Sequence, residues 1–307
     1  MDHQIVCELV AVVGPTASGK TALSIELARR LDGEIVSADS MAVYRYMDVG
    51  TAKPDAAERR AAVFHMIDVA EPGEPYNAGI YERQAEKAIA SVISRGRLPI
   101  LCGGSGLYIQ SVLYGLGPSV PGCDPAVRSL IDRVCRRKGL GFLRDFLKKT
   151  DPAVCRACDL ENPRRVRRLL EIYKQTGIPP SEIFKDGARA RYEAAVFGLE
   201  MSRETLHKRI NERVDRMLEC GLENEVRLML SKSPATSLQA IGYKEMAEYI
   251  RGECSLSEAA EKIKAATRQL AKRQICWFKR DKSIIWINMD ELSLQDAANL
   301  VVRRIKQ

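Results

Sequence analysis

Short unbroken apolar runs alternate along this chain with stretches whose apolar residues recur every three or four positions. Glu8–Val13 is the first run and reads as a buried parallel strand. Thr21–Arg30 follows with helical periodicity. Gly33–Ser40 and Phe64–Val69 read as short strands, and Leu98–Cys102 as another buried one. A helix is predicted from about Ile80 to Arg95, closed by Gly96 as its C-cap. From Asp124 the pattern turns helical, with Asn162 as an N-cap and Pro163 in the first turn. There Val166, Leu169, Leu170 and Tyr173 share one face, and Arg164, Arg167 and Arg168 another. Strand character returns at Ala194–Leu199, and helices are predicted over about Ser202–Cys220 and Leu256–Lys279. Ser237–Glu245 reads as a loop-to-helix junction and Ser283–Ile287 as a final strand. This alternation defines an α/β fold, a parallel sheet flanked by helices with an inserted α-helical domain. Pro118–Gly122 is a linker by composition. Residues 1–120 with 198–307 are therefore expected to form the core, and residues 121–197 the insertion.

Charge sharpens that division. The net charge is +8 over 307 residues, and residues 121–197 carry 17 Lys/Arg against 10 Asp/Glu, a net of +7. A polyanion-binding module attached to a neutral core has this distribution; a solvated helical surface is the plainer alternative. Arginine forks match phosphates, so an RNA backbone suits the Arg164–Arg168 face. Residues 262–280 hold seven Lys/Arg and no acid, with Lys264, Arg268 and Lys272 on one face and Ile263, Ala266, Leu270 and Trp277 on the other, toward a core. The nine cysteines are scattered, which suits free thiols in a cytoplasmic protein. Cys155 and Cys158 form a lone C-x-x-C without the second pair that a zinc site needs. No apolar run reaches the length of a membrane span.

The chemistry begins at Gly14-Pro15-Thr16-Ala17-Ser18-Gly19-Lys20-Thr21, between strand and helix. This is the context that a P-loop requires: glycines turn amide N–H groups toward a phosphate chain, Lys20 supplies a cation, and Thr21 presents a hydroxyl to Mg²⁺. Asp39 ends the next strand and points toward the same crevice. It is open to three roles: Mg²⁺ ligand, helix N-cap, or base facing an acceptor. His65 reads as a packed histidine rather than a catalytic one. The Leu98–Cys102 strand runs into Gly103-Gly104-Ser105-Gly106-Leu107-Tyr108, not into the acid that holds Mg²⁺ in ATPases.

These blocks, together with Ser37–Met41, Met47–Pro54, Asn162–Arg165, Gln239–Tyr243 and Thr267–Gln274, occur in one order that resembles the bacterial tRNA dimethylallyltransferase family over almost the whole chain. The resemblance implies a P-loop NTPase-like core and transfer of a dimethylallyl group from dimethylallyl diphosphate to the N6 amine of adenosine 37, beside the tRNA anticodon. It implies that Gly14 to Thr21 hold the donor diphosphate with Mg²⁺ on Thr21, and that Lys20, Thr21 and Asp39 are catalytic, Asp39 as the base. It implies tRNA contacts at Asp39, Ser40, Met41, Ala42, Ser105, Arg128, Asn162, Pro163, Arg164, Arg165, Val166, Arg268, Gln269, Lys272 and Arg273, and a role for 121–197 on the anticodon stem. A monomer acting in the cytoplasm is expected. The chain departs from the family pattern at Ala42, where Gln is frequent, at Phe64, where His is common, and at Ser105, where Thr is frequent. Competing readings are an isopentenyltransferase acting on free adenine nucleotides, a P-loop kinase or ATPase, and a non-catalytic RNA-binding protein.

Overall fold

The computed structural model describes residues 5–115, 122, 124–184, 190–232 and 237–306. The elements in chain order are β1 (Ile5–Val6), β2 (Leu9–Val13), α1 (Lys20–Arg30), β3 (Gly33–Ser37), α2 (Ala56–Ala61), β4 (Phe64–His65), α3 (Ala78–Ser94), β5 (Leu98–Gly103) and α4 (Gly106–Tyr114). Then come α5 (Pro125–Thr150), α6 (Pro152–Ala157), α7 (Pro163–Thr176) and α8 (Pro180–Ile183). The chain continues through β6 (Ala194–Glu200), α9 (Arg203–Glu219), α10 (Leu222–Ser231), a 3₁₀ turn (Ser237–Gln239), α11 (Tyr243–Ile250), α12 (Leu256–Phe278), β7 (Ile285–Asn288), α13 (Leu294–Arg304) and β8 (Ile305–Lys306).

The main sheet has the order β4-β3-β5-β2-β6-β7 and every pairing in it is parallel. The apolar runs become its strands because a parallel strand covered on both faces needs apolar residues at every position. All five residues of β2 are buried, as are all six of β5. Val10, Val12, Leu23, Leu27, Ile35, Ile100 and Phe197 form the heart of one core. The sheet directs the carboxyl ends of β2, β3 and β5 to one edge, where the Gly14–Thr21 turn, Asp39 and the Gly103–Ser105 turn meet.

The chain divides into two compact units, Met1–Leu113 with Arg191–Gln307, and Tyr114–Ala190. The second is helical and begins three of its helices in the same way: Asp124, Asp151 and Asn162 cap α5, α6 and α7, each followed by a proline whose missing N–H costs nothing there. Its core is Ile131, Leu143, Leu147, Val154, Val166, Leu169 and Leu170, with Cys155 and Cys158 packed against it. The strand at Ala194 starts before the expected boundary at 197/198, because its residues pair with β2. The expected linker at Pro118–Pro121, and with it the 120/121 boundary, lies outside the described residues.

Candidate active site

The turn from β2 to α1 is shaped by where glycine is required. Gly14 adopts φ 140°, and a Cβ there would lie 2.8 Å from the Leu199 carbonyl oxygen of β6. Lys20, the first residue of α1, folds back so that Nζ donates to the Pro15 carbonyl at 2.5 Å. Enclosure pushes its ammonium down to about 8; Cys102 and Asp39 oppose that shift and Arg213 adds to it. Ser18 is fully buried and its hydroxyl has no hydrogen-bond partner among the described residues.

Asp39 follows β3. Its Oδ1 accepts from the Met41 and Ala42 amides at 2.8 and 3.3 Å, so the capping role is realised by one oxygen. Its Oδ2 has no hydrogen bond among the described residues, and Asp39 shares a small cavity of about 80 Å³ with Thr16, Lys20, Thr21, Thr51, Cys102 and Arg213. One carboxylate thus caps a turn and faces the glycine cradle. Ser105 Oγ accepts from the Ser40 amide at 3.0 Å and fixes the same turn to the end of β5.

A second cavity of about 1080 Å³ is also lined by Lys20 and Thr21. Helix α9 lines it with Arg209, Arg213 and Arg216, spaced i, i+4, i+7 on one face, while Ala22, Val49, Ala52 and Met217 supply apolar wall. Arg213 is deeply enclosed; burial lowers its pKa, with Asp39 opposing. Its guanidinium donates to the Thr51 carbonyl at 3.5 Å. These three arginines escaped the sequence reading, although their spacing is visible there. Glu204, Glu212, Asp215 and Glu219 balance them on the same helix, so no charge excess marks the place.

Other residues around the site are tied into the fold, and His65 is the packed histidine expected. Gln274 belongs to the basic α12 segment read as an RNA contact. Its side chain straps the cradle: the Thr16 amide donates to Oε1 at 2.8 Å and Nε2 donates to the Gly104 carbonyl at 3.0 Å. The expected basic face of α12 is largely engaged, Lys264 with Asp215 and Glu261, and Arg268 with Asn211. Gln269, Lys272 and Arg273 are exposed. Trp277, expected toward the core, is 37% exposed. Lys53 is a staple whose Nζ reaches the Tyr44 carbonyl, Asp48 and Asp68. His65 sits with Arg95 and Arg97 around the buried Glu34 carboxylate; burial would raise that carboxyl, and the three partners outweigh it and hold it at about 2.

In the helical unit, Arg128 grips the buried carboxylate of Glu171 at 2.7 Å. Asn162 accepts from the Arg164 and Arg165 amides at 3.0 and 3.4 Å. Val166 is fully buried in that unit's core, which takes its side chain out of reach of a ligand. Pro163, Arg164 and Arg165 are exposed. Among the described residues no three His, Cys, Asp or Glu side chains group as a metal cage, and no helix is long and apolar enough to cross a membrane.

A parallel sheet whose first buried strand feeds a glycine cradle, a lysine and a helix N-terminus defines a P-loop protein built to hold a polyphosphate. The comparisons narrow that class. The sequence model of the family described as IPP transferase matches residues 42–281, and that described as isopentenyl transferase matches residues 7–67. A tRNA dimethylallyltransferase of Carboxydothermus hydrogenoformans is 40% identical, covering 96% of each chain. The solved tRNA isopentenylpyrophosphate transferase of Bacillus halodurans is 38% identical, covers 96% of each chain and superposes with a TM-score of 0.72. A eukaryotic dimethylallyltransferase solved acting on tRNA is 27% identical, covers 97% of this chain and 81% of its own, and has a TM-score of 0.82. This chain belongs to the IPP transferase family, that of the tRNA dimethylallyltransferases.

Proposed function

We propose that this enzyme transfers a dimethylallyl group from dimethylallyl diphosphate to N6 of adenosine 37 in the tRNA anticodon loop and releases diphosphate. The observation that carries the reading is the one cavity shared by Asp39, Lys20, Thr21 and Arg213. The allylic C–O bond breaks with its electron pair going to diphosphate, and the N6–C bond forms. The N6 proton passes to Asp39 Oδ2, the oxygen that does not cap the turn. Adenine N6 is a weak nucleophile because its lone pair is delocalised into the ring. A placed base contributes about 10²- to 10⁴-fold to such a step.

The cradle amides, Lys20 and the α9 arginines neutralise the departing diphosphate, each well-aimed donor being worth about 3 kcal/mol. The apolar wall of the larger cavity suits a five-carbon chain. Thr21 lines both cavities, and its hydroxyl is the hard oxygen donor that Mg²⁺ favours. Bound there, Mg²⁺ supplies Lewis-acid stabilisation of the leaving group. The basic helical unit and the exposed Gln269, Lys272 and Arg273 supply the RNA contacts. The enzyme works as a monomer in the cytoplasm, where its acceptor is.

Nucleoside mass spectrometry of tRNA incubated with protein, Mg²⁺ and dimethylallyl diphosphate tests the reading. The expected product is N6-dimethylallyladenosine from the anticodon loop. Labelling of AMP alone, or phosphate release from ATP indifferent to the prenyl donor, overturns it.

A further inference from the structure

Helical periodicity places Trp277 on the inner side of α12, yet its indole is 37% exposed. It is also rigidly seated. A Cβ on Gly106 would lie 2.3 Å from the indole Cδ1 and Nε1, so only glycine at the start of α4 admits the ring. Ser105, one residue earlier, holds the Ser40 amide beside Asp39. Gln274, one turn earlier on α12, holds Gly104 and the cradle. The indole is therefore anchored to the same turn that flanks the proposed base.

The surface around it has a consistent character. Gln269, Arg273, Trp277 and Arg280 follow one another at i, i+4, i+8 and i+11 and are all exposed. The Arg273 side chain has no ion pair or hydrogen bond among the described residues. Arg280 lies 5.9 Å from the indole centroid with no carboxylate partner among them. Leu107, next to Gly106, is 48% exposed. An exposed aromatic ring flanked by uncompensated guanidinium groups complements a stacked base with phosphates on either side.

We propose that this stripe is a stacking subsite for an unpaired RNA nucleotide neighbouring the target adenosine. The proposal rests on RNA being the acceptor. Extruding one base from a loop strips its neighbours of a stacking partner. The Trp277 indole replaces that partner, and Arg273 and Arg280 hold the adjoining phosphates. Stacking tolerates any base, so the subsite holds the loop open and contributes affinity; base identity is read elsewhere.

The chain has two tryptophans, which makes the test direct. In Trp286→Phe protein the only indole is Trp277. Titration with an anticodon stem-loop hairpin is expected to quench its emission in step with binding measured by mobility shift, whereas inorganic diphosphate does not. Trp277→Ala should weaken hairpin binding roughly ten- to hundredfold, with Trp277→Phe restoring most of it. Diphosphate affinity should be unchanged in both variants, which also verifies folding. Tight hairpin binding without quenching, and with no loss in Trp277→Ala, overturns the stacking subsite and leaves the acceptor reading standing. Failure of wild-type protein to bind the hairpin at all overturns both.

Discussion

Asp39 caps a turn with one oxygen and, in the proposed mechanism, takes the proton on the other, and that division can be tested with single substitutions. Asp39→Asn keeps Oδ1 as a cap for the Met41 and Ala42 amides but cannot accept a proton. It should lower the single-turnover rate about 10²- to 10⁴-fold while RNA affinity and melting temperature stay near wild type. Asp39→Ala should add a stability loss of about 1 kcal/mol from the vacated cap. An Asn variant with near-normal turnover refutes the base. Lys20 supplies the pH counterpart. Its pKa is lowered to about 8 by enclosure, so the free enzyme loses this cation as pH rises through 8. In the proposed site the diphosphate binds the charged form, so KM for the donor should rise above that pH, which steady-state kinetics between pH 7 and 9 would show. The cradle and Asp39 were legible in the sequence because each sits within a few residues of the strand that aims it. Arg213 was not, because it reaches the same cavity from a distant helix whose charges cancel.

The helices and loops around the site are fastened by polar ties that no local pattern announces. Glu225 of α10 accepts from the Asp48, Val49 and Gly50 amides at 2.7–2.9 Å and from the Tyr243 hydroxyl at 2.5 Å. That one carboxylate holds the loop whose Val49 and Ala52 line the larger cavity. Glu225→Ala leaves four donors unpaired and should cost about 3 kcal/mol in urea unfolding, with a raised KM for dimethylallyl diphosphate. A variant as stable as wild type shows the clasp to be ornamental. Element positions themselves were well marked: β2, β5 and β6 fall on the predicted apolar runs because full burial demands unbroken apolarity. Pairings between residues more than a hundred positions apart, such as Gln274 with Thr16 or Glu225 with Val49, depend on the fold being made and leave no trace in spacing. Asn162 carries two expectations, of which the helix cap is seen. Its place in the Asn162–Arg165 block suggests RNA contact, while its side chain caps α7. Asn162→Ala should therefore lower stability by about 1 kcal/mol more clearly than it weakens RNA binding.

At the scale of the whole chain, charge is partitioned between the two units. Residues 114–190 hold 16 Lys/Arg against 9 Asp/Glu, a net of +7, and the remainder is nearly neutral. Sign alone does not decide which of these cations bind RNA. Arg128, Arg144 and Arg168 are committed to Glu171 or Glu161, and using them on phosphates means breaking an existing pair. Arg133, Arg136, Arg137 and Arg164 make no ion pair among the described residues, so a phosphate gains them without competition. Each phosphate neutralised releases counterions and steepens the dependence of log Kd on log salt by about 0.7 to 0.9. Replacing Arg136 and Arg137 together with alanine should therefore flatten that slope by about 1.5 and weaken tRNA binding, with donor affinity untouched. Arg128→Ala should act differently: it uncovers a buried carboxylate, lowering the stability of the helical unit while leaving the slope nearly as it was. A slope that falls equally in both variants would mean that the paired and unpaired arginines meet the RNA alike, and that the ion pairs are released on binding.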